Sequence, residues 1–183
     1  MKVNKQILKR FIHVTTLVVT SFVFFASLSC LFTEYYSYSF SNSLPYVLFK
    51  NLPKNNKINR YDYYVICLDP KKKKLVNLAT HNLDRYSSKC STGTPLMKQV
   101  IAIPNDYLVA DGWHDMIVNH KKVKNSQVSL FFKMNPAFPR FKFKGVVPKD
   151  YYLVLGTHED SFDSRYLGLV HKKEFVFPIK PIF

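Results

Sequence analysis

Hydrophobic positions divide this chain into two regimes. From Phe11 to Phe32 they run on without an Asp, Glu, Lys or Arg. A helix of that length spans roughly 33 Å, enough to cross the hydrocarbon core of a bilayer. Beyond residue 33 the apolar positions come in short runs separated by Pro, Asn, Asp and Gly. These runs are Tyr46–Phe49, Asp62–Leu68, Leu96–Ile103, Tyr107–Ala110, Asp115–Val118, Val128–Lys133, Tyr151–Leu155 and Leu167–Val170. Their spacing predicts short strands in a mainly β, antiparallel domain, and none of the later stretches has the length and period of an amphipathic helix. Asn119-His120, between Ile117-Val118 and Lys121–Val123, predicts a hairpin turn. The expected division is a basic tail over residues 1–10, a membrane anchor over 11–32 and one β domain over 33–183, its first residues (33–42) a polar-aromatic neck suited to a membrane interface.

Charge sharpens the membrane reading. The formal charge is +15 on 183 residues, and Lys2, Lys5, Lys9 and Arg10 precede the apolar run with no acid among them. A basic flank on the N-terminal side only predicts that the tail stays in the cytoplasm and the β domain lies outside. Two other readings of the run compete. A cleaved signal peptide has a shorter apolar core. A lipoprotein signal would use Ser27-Leu28-Ser29-Cys30, but its Leu stands one place too late. The remaining positive charge carries no nucleic-acid-binding motif, so no nucleic-acid partner is expected, and attraction to anionic lipid headgroups of the inner membrane is the more economical reading. The run Lys71–Lys74, after Asp69-Pro70, reads as a solvated turn. Aromatic residues make up 16% of the chain, mostly Tyr and Phe, in keeping with β structure.

On this topology Cys30 lies in the membrane, where a small apolar residue is ordinary, while Cys67 and Cys90 lie in an oxidising space. They either pair with each other or remain two buried thiols.

Three islands carry candidate chemistry. In the first, Ser41-Asn42-Ser43-Leu44-Pro45, Ser43 precedes an X-Pro step that favours an extended or turn backbone. Its hydroxyl is a candidate nucleophile, and its own N–H with the Ser41 hydroxyl a candidate oxyanion hole. The bland alternative is a polar linker. In the second, Pro95 to Asp106, period-two facing places Lys98 with Leu96, Val100 and Ala102. A lysine held among apolar neighbours loses solvation of its charged form, and the neutral amine then accepts a proton from a serine. The alternative is a strand lysine whose stem lies on apolar surface while its head reaches water. The third island, Gly156 to Gly168, joins Ser161, Asp163, Ser164 and Arg165. Asp163 and Arg165 suit a structural ion pair, and Ser161 a hydrogen bond to the amine. No H-E-x-x-H or other metal spacing occurs, no phosphate loop appears, and His114 beside Asp115 reads as a loop contact, so neither metal nor cofactor is expected.

In their order (apolar span, Ser43-Leu44-Pro45, Met97-Lys98 to Asp106, Ser161-Phe162-Asp163-Ser164-Arg165) these segments resemble the serine–lysine signal peptidases, most of all the TraF-type conjugative-transfer signal peptidases. The resemblance covers residues 8 to 170. It implies a small antiparallel β catalytic domain of signal-peptidase type behind one transmembrane helix, with Ser43 as nucleophile, Lys98 as general base and Ser41 as oxyanion donor. Ser161, Asp163, Ser164 and Arg165 fall in the supporting motif. The short chain, and Cys67 and Cys90 as the cysteine pair often seen in that type, imply the TraF-type branch, whose substrate is a conjugative pilin precursor. A housekeeping signal peptidase acting on signal-peptide-bearing precursors is the alternative, and a non-catalytic scaffold of a secretion or conjugation apparatus the third. Departures from the family pattern are Gln99 for a usual Arg, Ala102 and Asn105 for usual glycines, and His158 where the housekeeping pattern has Asn. Asn105 tolerates a positive φ, so the turn it occupies survives.

Overall fold

The computed structural model describes residues 5–39, 43–69, 90, 95–129 and 138–182. Lys71–Lys74, Ser41 and most of the Val128–Lys133 run lie outside them. The chain forms two compact units, Met1–Ser37 and Tyr38–Phe183.

The first unit holds helix α1, Lys5–Tyr35, and the short strand β1, Tyr36–Tyr38, runs across the boundary at Ser37. Within α1, Lys9–Ser29 is long and apolar enough to cross a membrane, alone in this among the described residues. Its hydroxyls return to the helix's own carbonyls: Thr15 Oγ1 donates to Phe11 O at 3.0 Å, Thr16 Oγ1 to Ile12 O at 2.8 Å and Ser27 Oγ to Val23 O at 2.8 Å. A side chain satisfied in this way asks nothing of a lipid environment. Two elements occupy the first part of the expected neck. Residues up to Tyr35 continue the helix and Tyr36–Tyr38 form a strand, because an established helix adds residues at little cost beyond its apolar stretch.

The second unit is mainly antiparallel β. Its strands are β2 (Leu48–Asn51), β3 (Tyr63–Ile66), β4 (Leu96–Ala102), β5 (Tyr107–Ala110), β6 (Ile117–Val118), β7 (Lys121–Lys122), β8 (Phe143–Val146), β9 (Tyr151–Leu155), β10 (Val170–His171) and β11 (Phe175–Pro181). One sheet runs in the order β2-β11-β3-β4-β9-β10 and a second in the order β7-β6-β5-β8. A four-residue helix, α2 (Ser164–Leu167), follows β9. The expected strand Leu167–Val170 is thus corrected: Leu167 ends α2, Gly168 at φ 73° stops it, and pairing begins at Val170. Val128 and Ser129 are buried without strand pairing. The hairpin at Asn119-His120 has φ of 49° and 65°, the two positive values that a tight turn matching strand twist requires. Asn105 takes φ 71°.

Strand β9 explains how two cores share one chain. Its residues Tyr152 to Leu155 are all buried. Tyr152 and Val154 enter a core with Ile66, Val100, Phe138, Tyr166 and Phe175, while Leu153 and Leu155 enter another with Leu108, Met116, Val118 and Val147. Such an unbroken apolar run marks a strand covered on both faces. A register shift between Val100 and Ala102 on the neighbouring β4 sends Val100 into the first core and Ala102 into the second. Asp106 braces the turn after β4. It accepts from Ile103 N and Asn119 Nδ2, both at 2.7 Å, and pairs with Arg60.

Candidate active site

Lys98 sits mid-strand in β4, opposite Tyr64 of β3, and alternates with buried Val100 and Ala102. Only 3% of it is exposed, so its head does not reach water as an edge lysine's would. Nζ donates to Ser161 Oγ at 2.9 Å. Burial pushes the amine down from the ordinary lysine value to about 8; the Asp163 carboxylate pulls it up and the Arg165 guanidinium pushes it further down.

Ser43 lies in the turn ahead of β2, half-buried. Its position follows from its neighbour. Leu44 is buried in a third apolar cluster with Phe49, Val65 and Ile179, against which Met97 packs. The Ser43 carbonyl accepts from Thr157 N at 2.7 Å and Thr157 Oγ1 at 3.3 Å. These two bonds seat the serine segment on the loop that also holds Ser161. Gly156 marks how tight that seat is: a Cβ there would overlap Ser161 Oγ and stand 2.7 Å from the Ser43 carbonyl oxygen. Only glycine permits the approach. Among the described residues no hydrogen bond joins Lys98 Nζ to Ser43 Oγ, and the Ser43 N–H has no acceptor. Ser41, the other candidate oxyanion donor, lies outside the described residues.

The Ser161–Arg165 segment is rigid for reasons the residues make plain. Asp163 caps α2, accepting from Arg165 N at 3.1 Å, and takes Gly156 N at 2.8 Å. Arg165 meets it through Nε at 2.9 Å and a terminal nitrogen at 2.7 Å, a two-pronged pair fully out of water. The remaining guanidinium hydrogens go to the carbonyls of Gly156, His158 and Glu159, and across to Asn125 and Gln127. Ser164 Oγ accepts from Val154 N at 3.0 Å, locking α2 to β9. One ion pair therefore sets the loop from Gly156 to Ser161. The structure brings Lys98, Ser161, Asp163 and Arg165 into one buried network, with Ser43 held beside it through Thr157. Thr157 and Gly156 are the participants that residue-type reasoning did not single out. Gly156 has no side chain and Thr157 no charge, and both act through their place beside the Ser43 carbonyl, so only the fold reveals them. His114 bonds Asp111 through Nδ1 at 2.6 Å, a loop contact.

Cys67 and Cys90 form a disulfide, their Cα atoms 5.4 Å apart. It joins the end of β3 to the approach to β4, close to the strand that carries Lys98. The adjoining backbone is fastened independently: Cys67 N donates to Glu174 O at 2.7 Å, and Glu174 Oε1 accepts from Asp69 N at 2.7 Å. Closing a loop of 23 residues stabilises the fold by about 3 kcal/mol in the chain-entropy treatment. Mass spectrometry of non-reduced peptides is expected to find the Cys67–Cys90 cross-link. Two freely alkylated cysteines in protein from its native compartment would refute it.

The family model described as signal peptidase, peptidase S26, matches residues 5–180. The chain is a serine peptidase, a hydrolase. It belongs to the signal peptidase S26 family, whose members process signal peptides. Among solved structures, a signal peptidase I from Enterococcus faecalis V583 is similar at 18% identity and a TM-score of 0.38, over 68% of this chain and 98% of that one. A search of curated proteins gave no match.

Proposed function

We propose that this chain is a membrane-anchored endopeptidase with a Ser43/Lys98 dyad that matures a precursor such as a conjugative pilin on the outer face of a bacterial inner membrane. The observation that carries this reading is the Lys98 amine, buried, bonded to Ser161 and lowered to about 8, so that an appreciable fraction is neutral near pH 8. In the proposed sequence Lys98 takes the proton from Ser43 Oγ and Ser43 attacks the scissile carbonyl. The Ser43 N–H and the Ser41 hydroxyl receive the developing oxyanion. The protonated amine then passes its proton to the leaving nitrogen, and water activated by the same amine releases the acyl group. An approach of Ser43 to Lys98 on substrate binding completes the dyad, since catalytic hydrogen bonds commonly tighten only in the complex. Residues 1–10 are assigned to the cytoplasm, 11–32 to the bilayer and 33–183 to the periplasm, from the one-sided basic flank. The precursor lies extended, its backbone paired to a strand edge.

Substrate choice is settled by incubating the purified protein with a conjugative pilin precursor and with secretory precursors. Cleavage of the pilin precursor at a single site, with secretory precursors left intact, is the expected result. Efficient removal of ordinary signal peptides would instead make it a general type I signal peptidase. A cyclic product would show that an amine replaces water as the acyl acceptor.

A further inference from the structure

We propose that the pocket at the connection from β2 to β3 is a binding site for an acidic stretch of the precursor. The inference deepens the endopeptidase reading and rests on it for the identity of the occupant. The pocket has a volume of about 540 Å³; Leu52, Tyr64 and Pro178 form its floor, and Lys54, Asn55 and Asp62 stand at its rim. Strand pairing fixes where the floor lies. Leu52 N donates to Pro178 O at 2.9 Å, Pro178 stands opposite Tyr64, and Tyr64 stands opposite Lys98. One cross-strand row thus leads from the pocket to the proposed base. Pro178 and Lys98 are two strand spacings apart, roughly 10 Å, a distance that about three extended residues of a bound peptide cover.

Charge selects the occupant. Lys50 of β2 and Lys180 of β11 stand directly opposite each other, both exposed, and period-two facing puts them on the same face as Leu52 and Pro178. Like charges so placed weaken a sheet. An anion between them removes that cost. Among the described residues none of Lys50, Lys54 and Lys180 forms an ion pair. The acid in the lining, Asp62, is turned to Asn59, whose backbone N and Nδ2 donate to its Oδ2 at 3.3 and 3.1 Å. The apolar floor decides between a peptide and a free anion. An inorganic ion makes no use of Leu52 and Pro178, whereas a peptide lays an apolar side chain there while a neighbouring carboxylate reaches the lysines. In a chain of charge +15 the same lysines also speed the approach of an acidic precursor. Contacts this far from the reacting atoms hold the precursor in register and act on KM more than on the chemical step.

Binding is read first, by fluorescence anisotropy, on the full chain with Ser43→Ala in neutral detergent micelles. The probes are a fluorescein-labelled hexapeptide of alternating phenylalanine and glutamate and its counterpart with glutamine. The glutamate peptide should bind about tenfold tighter, as two or three exposed ion pairs allow, and high salt should erase the difference. Adding Lys50→Gln together with Lys180→Gln should abolish the preference, while Lys144→Gln, on the second sheet, should keep it. The double lysine variant should melt at or above the temperature of its parent, because the opposed charges are gone. With Ser43 restored, that double variant should raise KM for the cleaved precursor about tenfold and leave kcat in place. Changing the precursor's acidic residues near the cut to their amides should raise KM for the wild type but add nothing in the double variant. Equal binding of the two peptides, a preference that survives the double variant, or an equal loss with Lys144→Gln overturns the pocket; so does an unchanged KM. A wild type that cleaves no precursor overturns the endopeptidase reading instead, and the peptide measurement then decides the pocket by itself.

Discussion

Lys98→Met is expected to reduce kcat by about 1,000-fold or more while making the domain more thermally stable. Loss of a general base costs on the order of 100- to 10,000-fold, and a base that also returns the proton belongs toward the upper end. Ser43→Ala should fall at least as far, and the double variant scarcely further, because members of one catalytic unit are strongly non-additive. The stability gain has a definite pH dependence. In the folded chain the amine titrates at about 8, against the ordinary lysine value of 10.5. Below about 8 it is charged in both states, and burial of that charge weighs against folding at full strength. As pH rises toward 10.5 the unfolded chain holds the extra proton, so wild-type stability climbs and the penalty disappears. Lys98→Met should therefore exceed the wild type most below pH 8 and lose its advantage near 10.5. In the wild type, kcat/KM should rise about tenfold per pH unit below 8 and level above it. Processing near the wild-type rate in Lys98→Met would sink the dyad, and a limb near 6.5 abolished by replacing one histidine would point to a histidine base instead.

The β character of the domain was legible because period-two facing survives in β4 and β5, and because β9 is a short unbroken apolar run. The hairpin turn was legible because few residues besides Asn and Gly accept the positive φ it needs. Strands β8 and β11 were not. β11 contains Pro178 and Pro181, and proline ordinarily argues against an interior strand, yet β11 lies between β2 and β3. Pro178 keeps its register opposite Tyr64, and Pro181 is the last residue of the strand. In β8 the outward positions are one lysine, Lys144, and one valine, Val146, and the inward ones are Phe143 and Gly145, so the alternation is weak to the eye. At the site, reactive residue types announced themselves: a lysine among apolar neighbours, a serine before X-Pro, an acid two positions from an arginine. Gly156 and Thr157 act through close approach and a backbone carbonyl, and neither property is written in residue type.

Asp163 and Arg165 are expected to produce the largest loss of stability, and to move the activity profile in opposite directions. Each is fully buried, so removing one leaves the other as an uncompensated charge, a change that typically costs about 3–5 kcal/mol. Arg165→Met also frees the carbonyls of Gly156, His158 and Glu159, which releases the loop that carries Ser161. Arg165→Lys should restore little, because an ammonium cannot reproduce the two-pronged contact and the fan of carbonyl bonds. The electrostatic consequence separates a role in tuning Lys98 from a purely structural one. The Asp163 carboxylate raises the Lys98 amine and the Arg165 guanidinium lowers it. Asp163→Asn keeps a cap acceptor for α2 but removes the negative charge, so the rising limb of kcat/KM should shift to lower pH. Arg165→Met should shift it to higher pH. Combining the two should return the limb toward the wild-type position and recover part of the stability, since no lone charge remains. These shifts are read from kcat/KM against pH in the surviving activity, and stability from urea melts of the same preparations. If both single variants lose stability but leave the limb in place, the pair braces the loop without tuning the amine.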